Sequence, residues 1–396
     1  MHPIVKPALR RAWRDLNTVQ FGMAPAHAMV LGPMDTATGS FLDLLDGTRG
    51  MPLLREQGRQ MGLPDGHVDG LVDRLARSGL LDDTSAGGPA AASLRERKQV
   101  MERMRPDLAS LSLVTCAPGG AVGTLAARRA LRVQVRGAGR VGVVLAALLA
   151  SAGVGEVVVR DLGRVEPWDV APGGLPAESV GERREHAARR AVRRAAPDRP
   201  PRSPAGAGAG DAAPGLSLVV LAPRDGLSVH APDPVSAEPL IDSGTPHLYA
   251  GVVEATAVVG PLVLPGDTGC AGCLDQTRAD RDPTWPRLVA QWRSGRRHRV
   301  PACDQALAAA VAGLAASHAL AFLDGLATPA AGVRWEASLP ACDWHAKPVT
   351  AHSACPCGAA GKTKGERASE DEEPHATMAG QQSHAAGLAG TWRAHV

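Results

Sequence analysis

Aromatic residues are scarce in this chain, which has one tyrosine, three phenylalanines and seven tryptophans among 396 residues. Single-stranded nucleic acid is held by aromatics set in a basic groove, and no basic stretch here is interleaved with aromatics. Charge of one sign is lacking too, since the formal net charge is only +3. No nucleic-acid partner is expected. The arginine-rich stretch from Arg183 to Arg194 reads instead as the solvated face of a helix. No run of about 18 apolar residues stands out that would span a bilayer. The opening residues Met1-His2-Pro3-Ile4-Val5-Lys6 lack the charged-then-apolar order of a secretory signal. A cytoplasmic protein with no membrane partner is the expectation.

What is present suffices for two domains. Hydrophobic residues make up 44% of the chain, and the length exceeds that of one ordinary core. Residues 1–84 read as a first module, 85–110 as a linker and connecting helix, 111–358 as a large α/β domain, and 359–396 as a disordered polar tail. A Pro/Gly/Ala-rich stretch at 197–215 reads as a surface loop. Within the first module the pattern predicts a short strand at 28–31, helices over 36–45, 51–61 and 64–78, and a closing strand entered at Gly79-Leu80-Leu81. In the third helix Val68, Leu71, Val72 and Leu75 recur at helical steps. A short strand, three helices and a closing strand describe a winged helix. Asp65, Asp69 and Asp73 make the third helix too acidic to read DNA, so peptide binding is favoured over DNA binding.

In the second domain, Leu131-Arg132-Val133-Gln134-Val135-Arg136 alternates as a strand does. It runs into Gly137-Ala138-Gly139-Arg140-Val141-Gly142 and then an apolar helical segment. A second strand over 156–160 ends in Asp161. Glycines at these positions let the backbone approach a phosphate, the helix N-terminus offers free N–H groups, and the acid can accept from a ribose hydroxyl. A glycine-rich turn that binds nothing would share the same fold.

The residues after Asp161 narrow the class. Leu162-Gly163-Arg164-Val165 leads to Asp169-Val170-Ala171-Pro172-Gly173, and Val180-Gly181-Glu182-Arg183-Arg184 opens the next helix. This succession resembles the ThiF/MoeB family, which activates ubiquitin-like modifiers by adenylation. The resemblance implies an α/β, Rossmann-like nucleotide-binding domain that is commonly dimeric. It also implies nucleotide contacts from Gly137, Gly139, Gly142, Asp161, Arg184 and Asp225, with ATP and Mg2+ as ligands. Pro172 stands where the family has an arginine, Arg184 where it has a lysine, and Asp225 is displaced by one residue from the usual acid. Loss of charges that neutralise departing pyrophosphate points to an impaired adenylation site, and no catalytic residue is assigned.

The seven cysteines are odd in number and cluster from Cys270 onward, which in a reducing compartment points to metal ligation. Cys270-Ala271-Gly272-Cys273 and Cys355-Pro356-Cys357 are short-spaced pairs, and two such pairs build a closed four-cysteine zinc site. Cys270, Cys273, Cys355 and Cys357 are the expected ligands of a structural Zn2+. Cys303 is expected as a core thiol rather than a thioester-forming nucleophile, and His318 as a packed or surface histidine.

The ending His352-Ser353-Ala354-Cys355-Pro356-Cys357 resembles the ThiF-like partners of YcaO-type cyclodehydratases in azole/azoline (TOMM) peptide pathways. The Phe41-Leu42-x-Leu44-Leu45-x-Gly47 segment and the Leu75-x-x-x-Gly79-Leu80-Leu81 ending resemble PqqD-type recognition elements, which bind a leader peptide along a strand edge. Together they imply a protein that presents a precursor leader peptide to a modifying enzyme. Two other readings stay open: an active adenylyltransferase, and an NAD(P)-dependent oxidoreductase, which the absence of an evident His/Lys constellation disfavours.

Overall fold

The computed structural model describes residues 1–198, 215–294 and 301–361. The polar tail beyond 361 and most of the loop expected at 197–215 lie outside the described residues. The chain divides into two compact units, with the break between Ala130 and Leu131.

In the first unit, β1 (Pro3–Val5) pairs antiparallel with β5 (Leu81–Asp83). Between them, β2 (Arg11–Trp13), β3 (Val19–Phe21) and β4 (Met29–Leu31) form an antiparallel sheet in that order. Helices α1 (Thr36–Phe41), α2 (Met51–Gln60) and α3 (His67–Arg77) follow. Asp35 caps α1, its carboxylate accepting from the Thr38 N–H at 2.7 Å. The helix expected over 36–45 breaks after Phe41 into a 3-10 turn, Leu42–Leu44. The apolar steps of α3 put Val68, Leu71, Val72 and Leu75 inside, against Phe21, Phe41 and Leu54. Each such burial stabilises by about 1.5–3 kcal/mol. The sequence suggested only one strand ahead of α1, whereas the sheet has three.

The stretch read as a linker and connecting helix holds several short helices. Helices α4 (Gly88–Arg95), α5 (Lys98–Arg103), α6 (Arg105–Val114) and α7 (Gly120–Arg128) enclose a second small core of Leu94, Val100, Met104, Leu111, Ala121 and Leu125. Lys6, only 2% exposed, ties the N-terminal strand to α6 by donating to the carbonyls of Ser112 and Thr115.

The second unit is an α/β domain. Its strands are β6 (Arg132–Arg136), β7 (Glu156–Arg160), β8 (Leu218–Leu221), β9 (His247–Val253), β10 (Thr256–Val263), β11 (Val333–Ser338) and β12 (His345–Pro348). They lie in the order β12-β11-β10-β9-β8-β6-β7. The β7–β9 half is parallel and the β9–β12 half antiparallel. Val133 and Val135 of β6 point into the main core, as their alternation predicts. Helices α8 (Arg140–Ser151) and α9 (Arg184–Ala195) flank the parallel half. On α9 the arginines face solvent as expected except Arg184, which is buried. Next come α10 (Gly226–His230), α11 (Pro234–Asp242), α12 (Ala271–Arg281), α13 (Trp285–Ser294) and α14 (Gln305–Leu323).

One expectation needs correction. Gln305–Leu323 is long and apolar enough by composition to cross a membrane. It nevertheless lies against α8, β9 and β10, with Leu307, Val311, Ala312, Ala315 and Ala319 in the main core. Its Ala/Leu-rich composition suits a core helix packed closely on a sheet.

Candidate nucleotide pocket and metal centre

The glycine loop joins β6 to α8 at the C-terminal end of the parallel strands, where open α/β sheets hold their ligands. Gly137 has φ +117°, and a Cβ there would sit 1.9 Å from the Ala222 carbonyl oxygen. A Cβ on Gly142 would lie 2.1 Å from the Gly137 carbonyl oxygen. Both glycines are therefore required by strand–helix packing. Gly139 differs, because its nearest neighbour is the Arg224 side chain, at 2.8 Å from the notional Cβ. Gly137→Ala is expected to cost about 3 kcal/mol or more, and Gly139→Ala no more than about 1.5 kcal/mol. Thermal denaturation of the two variants checks this, and equal losses would contradict the packing account.

Around this loop the side chains pair with one another. One oxygen of Asp161 accepts from the Ala138 N–H at 2.6 Å, and the other accepts from Arg184 Nη1 at 2.8 Å. Arg184 also donates from Nη1 to the Leu162 carbonyl at 2.6 Å, from Nε to Asp169 at 3.1 Å and from Nη2 to Glu166 at 3.4 Å. Burial works against its charge, but Asp161 and Asp169 outweigh this and raise its pKa. Asp169, 3% exposed, accepts the Glu166 N–H at 2.9 Å on the oxygen that holds Arg184, and Arg224 Nε at 2.7 Å on the other. Arg224 also donates to Glu166, whose pKa is lowered chiefly by that bond. Arg140 donates to the carbonyls of Trp168 and Cys303 at 2.7 and 2.6 Å.

Two arginines thus meet three carboxylates in a closed lattice of charge-assisted bonds. The structure brings Gly137, Gly139, Gly142, Asp161 and Arg184 together. Asp225 does not join them. It is exposed and serves as the N-cap of α10, accepting from the Leu227 N–H at 3.1 Å and from the Ser228 hydroxyl. Sequence reasoning missed Arg224, Glu166 and Asp169 as partners. No sequence signal marked them, because Arg224 lies 55 and 58 positions from the two acids it bonds.

The cysteine pairs converge at the other end of the unit. Cys270 is the N-cap residue of α12 and Cys273 lies in its first turn, while Cys355 and Cys357 arrive from the segment after β12. Sγ–Sγ separations are 3.9 Å for Cys270–Cys273, 3.6 Å for Cys270–Cys355 and 3.5 Å for Cys273–Cys357. All four sulfurs lie within 4.8 Å of one another. A tetrahedron with Zn–S bonds of about 2.3 Å has edges of about 3.8 Å, so the four thiols are set for one ion. The same separations are far too long for disulfides, which need about 2.05 Å. A Cβ on Gly269 would strike the Val349 carbonyl oxygen at 2.3 Å and one on Gly272 the Cys355 sulfur at 2.9 Å, so small residues let the two arms close. Cys270 and Cys273 are buried. The Cys273 pKa is lowered, first by its bond from the Cys270 thiol, while burial pushes the Cys355 thiol up. The cluster is positioned to coordinate a structural metal such as Zn2+, and four thiolates leave no position for a reacting water.

Cys303 packs against the main core, and burial raises its pKa, opposite to what a nucleophile needs. His318 is buried, stacked on Trp335 with its pKa lowered by burial.

No curated protein matches the chain. Solved structures with the same fold include E. coli MccB with MccA-N7isoASN, at 14% identity and TM-score 0.64 over 91% of this chain and 100% of that one. E. coli MccB with ATP aligns at 15% identity and TM-score 0.63, covering 90% and 99%. PaaA aligns at 16% identity and TM-score 0.60, covering 87% and 99%. Residues 116–357 match the ThiF family, a span that takes in the glycine loop, the arginine–carboxylate lattice and all four clustered cysteines, and the chain belongs to that family.

Proposed function

We propose that this ThiF-family chain binds a precursor peptide through residues 1–84, a winged-helix module of PqqD type, and presents it to a modifying enzyme. A YcaO-type cyclodehydratase is the partner class its cysteine ending implies. In this reading the protein acts in the cytoplasm as a homodimer, and the metal centre is structural. The observation that carries the reading is the occupation of both pocket arginines: Arg184 and Arg224 are engaged by Asp161, Glu166 and Asp169. A triphosphate carries its own negative charge and would enter a site already neutralised. Two further observations support peptide binding. The likeness to MccB extends over 91% of this chain, so the first unit is included, and MccB has been solved with the MccA peptide. In the first unit β4 has a single strand neighbour, β3, which leaves an edge for an added peptide strand.

A second reading, ATP-dependent adenylylation of the peptide, is the better supported on likeness alone, because the same fold has been solved with ATP. It assigns phosphates to the loop of Gly137, Gly139 and Gly142 and to Arg184, the ribose to Asp161, and Mg2+ to Asp225. It requires Arg184 and Arg224 to leave their carboxylates and Asp225 to leave its cap. Pyrophosphate exchange with Mg·ATP and a peptide encoded beside the gene separates the two. Presentation predicts peptide binding with exchange at background. Robust exchange selects adenylylation, and failure to bind any neighbouring peptide removes both.

A further inference from the structure

A second cluster of buried charge sits around the C-terminal end of α10, away from the glycine loop and not used by it. Arg334 of β11 donates from Nη1 to the Val229 carbonyl at 2.9 Å, and Arg278 of α12 from Nη1 to the His230 carbonyl at 2.6 Å. Two cations at a helix C-terminus complement its dipole, but one would suffice for a helix of five residues. Arg334 is 2% exposed, bonds Glu336 through Nε at 2.6 Å, and has no partner for its buried Nη2 among the described residues. Glu336 is shared with Lys347. Asp275 accepts from the Trp285 indole at 2.8 Å, and Arg278 lies over the Trp285 ring, 4.7 Å from its centre.

Among the described residues three cations, the buried Arg278 and Arg334 and the mostly exposed Lys347, thus face the two carboxylates of Glu336 and Asp275, an excess of one positive charge. His230 is pushed down to about 4, first by burial and then by Arg278 and Arg334, and Arg278 to about 10 by burial and Arg334. A buried guanidinium N–H without an acceptor is destabilising, and a planar two-oxygen anion is the acceptor whose geometry a guanidinium matches. Trp292, 48% exposed, sits edge-on to both His230 and Trp285 and forms the outer wall.

We propose that Arg278 and Arg334, walled by Trp285 and Trp292, form a binding site for a single carboxylate. The missing charge is one, which favours a monoanion over phosphate. The carboxylate comes either from a peptide C-terminus or from an acidic side chain. The site stands apart from the peptide-presentation reading, because free carboxylates test it directly.

The test titrates the full chain, at constant ionic strength, with acetylated trialanine as the free acid, as the C-terminal amide, and as the amide with a central aspartate, with inorganic phosphate alongside. At least one acid should bind ten-fold or more tighter than the neutral amide and tighter than phosphate. Which acid binds identifies the source of the carboxylate. Arg278→Gln should abolish the preference and Arg278→Lys retain part of it. Equal binding of acid and amide by the native chain, stronger binding of phosphate, or an undiminished preference in a folded Arg278→Gln protein overturns the site. The comparison on the native chain decides the matter even if a variant does not fold.

Discussion

Asp169→Ala should lower the stability of the α/β unit by about 3–5 kcal/mol, the usual cost of removing one partner from a buried ion pair. Asp169 is the hinge of the pocket lattice, since one oxygen holds Arg184 and the Glu166 N–H while the other holds Arg224. Truncation leaves Arg184, 8% exposed, with fewer acceptors than donors, and the Glu166–Asp169 turn loses its capping box. For a unit of this size the melting temperature should fall by roughly 6–20 °C. Asp225→Ala is the matched control. It removes an exposed helix cap at about 0.5–2 kcal/mol. If Asp169→Ala proves no costlier than Asp225→Ala, the lattice is not the buried structural feature described here.

Cys270→Ser combined with Cys273→Ser should take the protein from about one zinc per chain to none and unfold the metal end of the second unit. Structural zinc is worth about 10–16 kcal/mol in zinc-finger peptides at pH 7, comparable to the whole stability of a typical domain, about 5–15 kcal/mol. The four sulfurs join α12 to the segment that follows β12. Tyr249 and Val263 pack on the same cluster, so the loss would reach the sheet. Metal analysis and limited proteolysis read this out, and a double variant that keeps its zinc would refute the ligand assignment.

Much of this was legible in the residues. Alternation in β6, the glycine loop and the apolar α8 gave the parallel half of the sheet, because period and turn chemistry are local properties. The two cysteine pairs pointed to the metal centre, because short-spaced thiol pairs are the donor pattern of a four-cysteine site, and the structure brings them together across some 80 residues. Three features were not legible. Strands β2 and β3 span three residues each, too few for any period to show. The segment after residue 84 reads as a linker, opened by Gly87, Gly88 and Pro89, and one connecting helix, yet Leu94, Val100 and Met104 find a core with α6 and α7. The pairing of Arg224 with Asp169 joins positions 55 apart, and no sequence pattern predicts which of many arginines will reach a given acid. The expectation of an impaired site rested on Pro172 and Arg184, whereas the observed lattice also depends on Arg224, which the sequence did not mark.

Peptide presentation requires that Arg184 and Arg224 stay neutralised from within by Asp161, Glu166 and Asp169. Calorimetric titration of the full zinc-loaded chain with Mg·ATP tests this. No saturable heat is expected up to millimolar nucleotide. Binding in the micromolar range would mean that the arginines release their carboxylates for phosphate, and would return the chain to the adenylylating enzymes of its family.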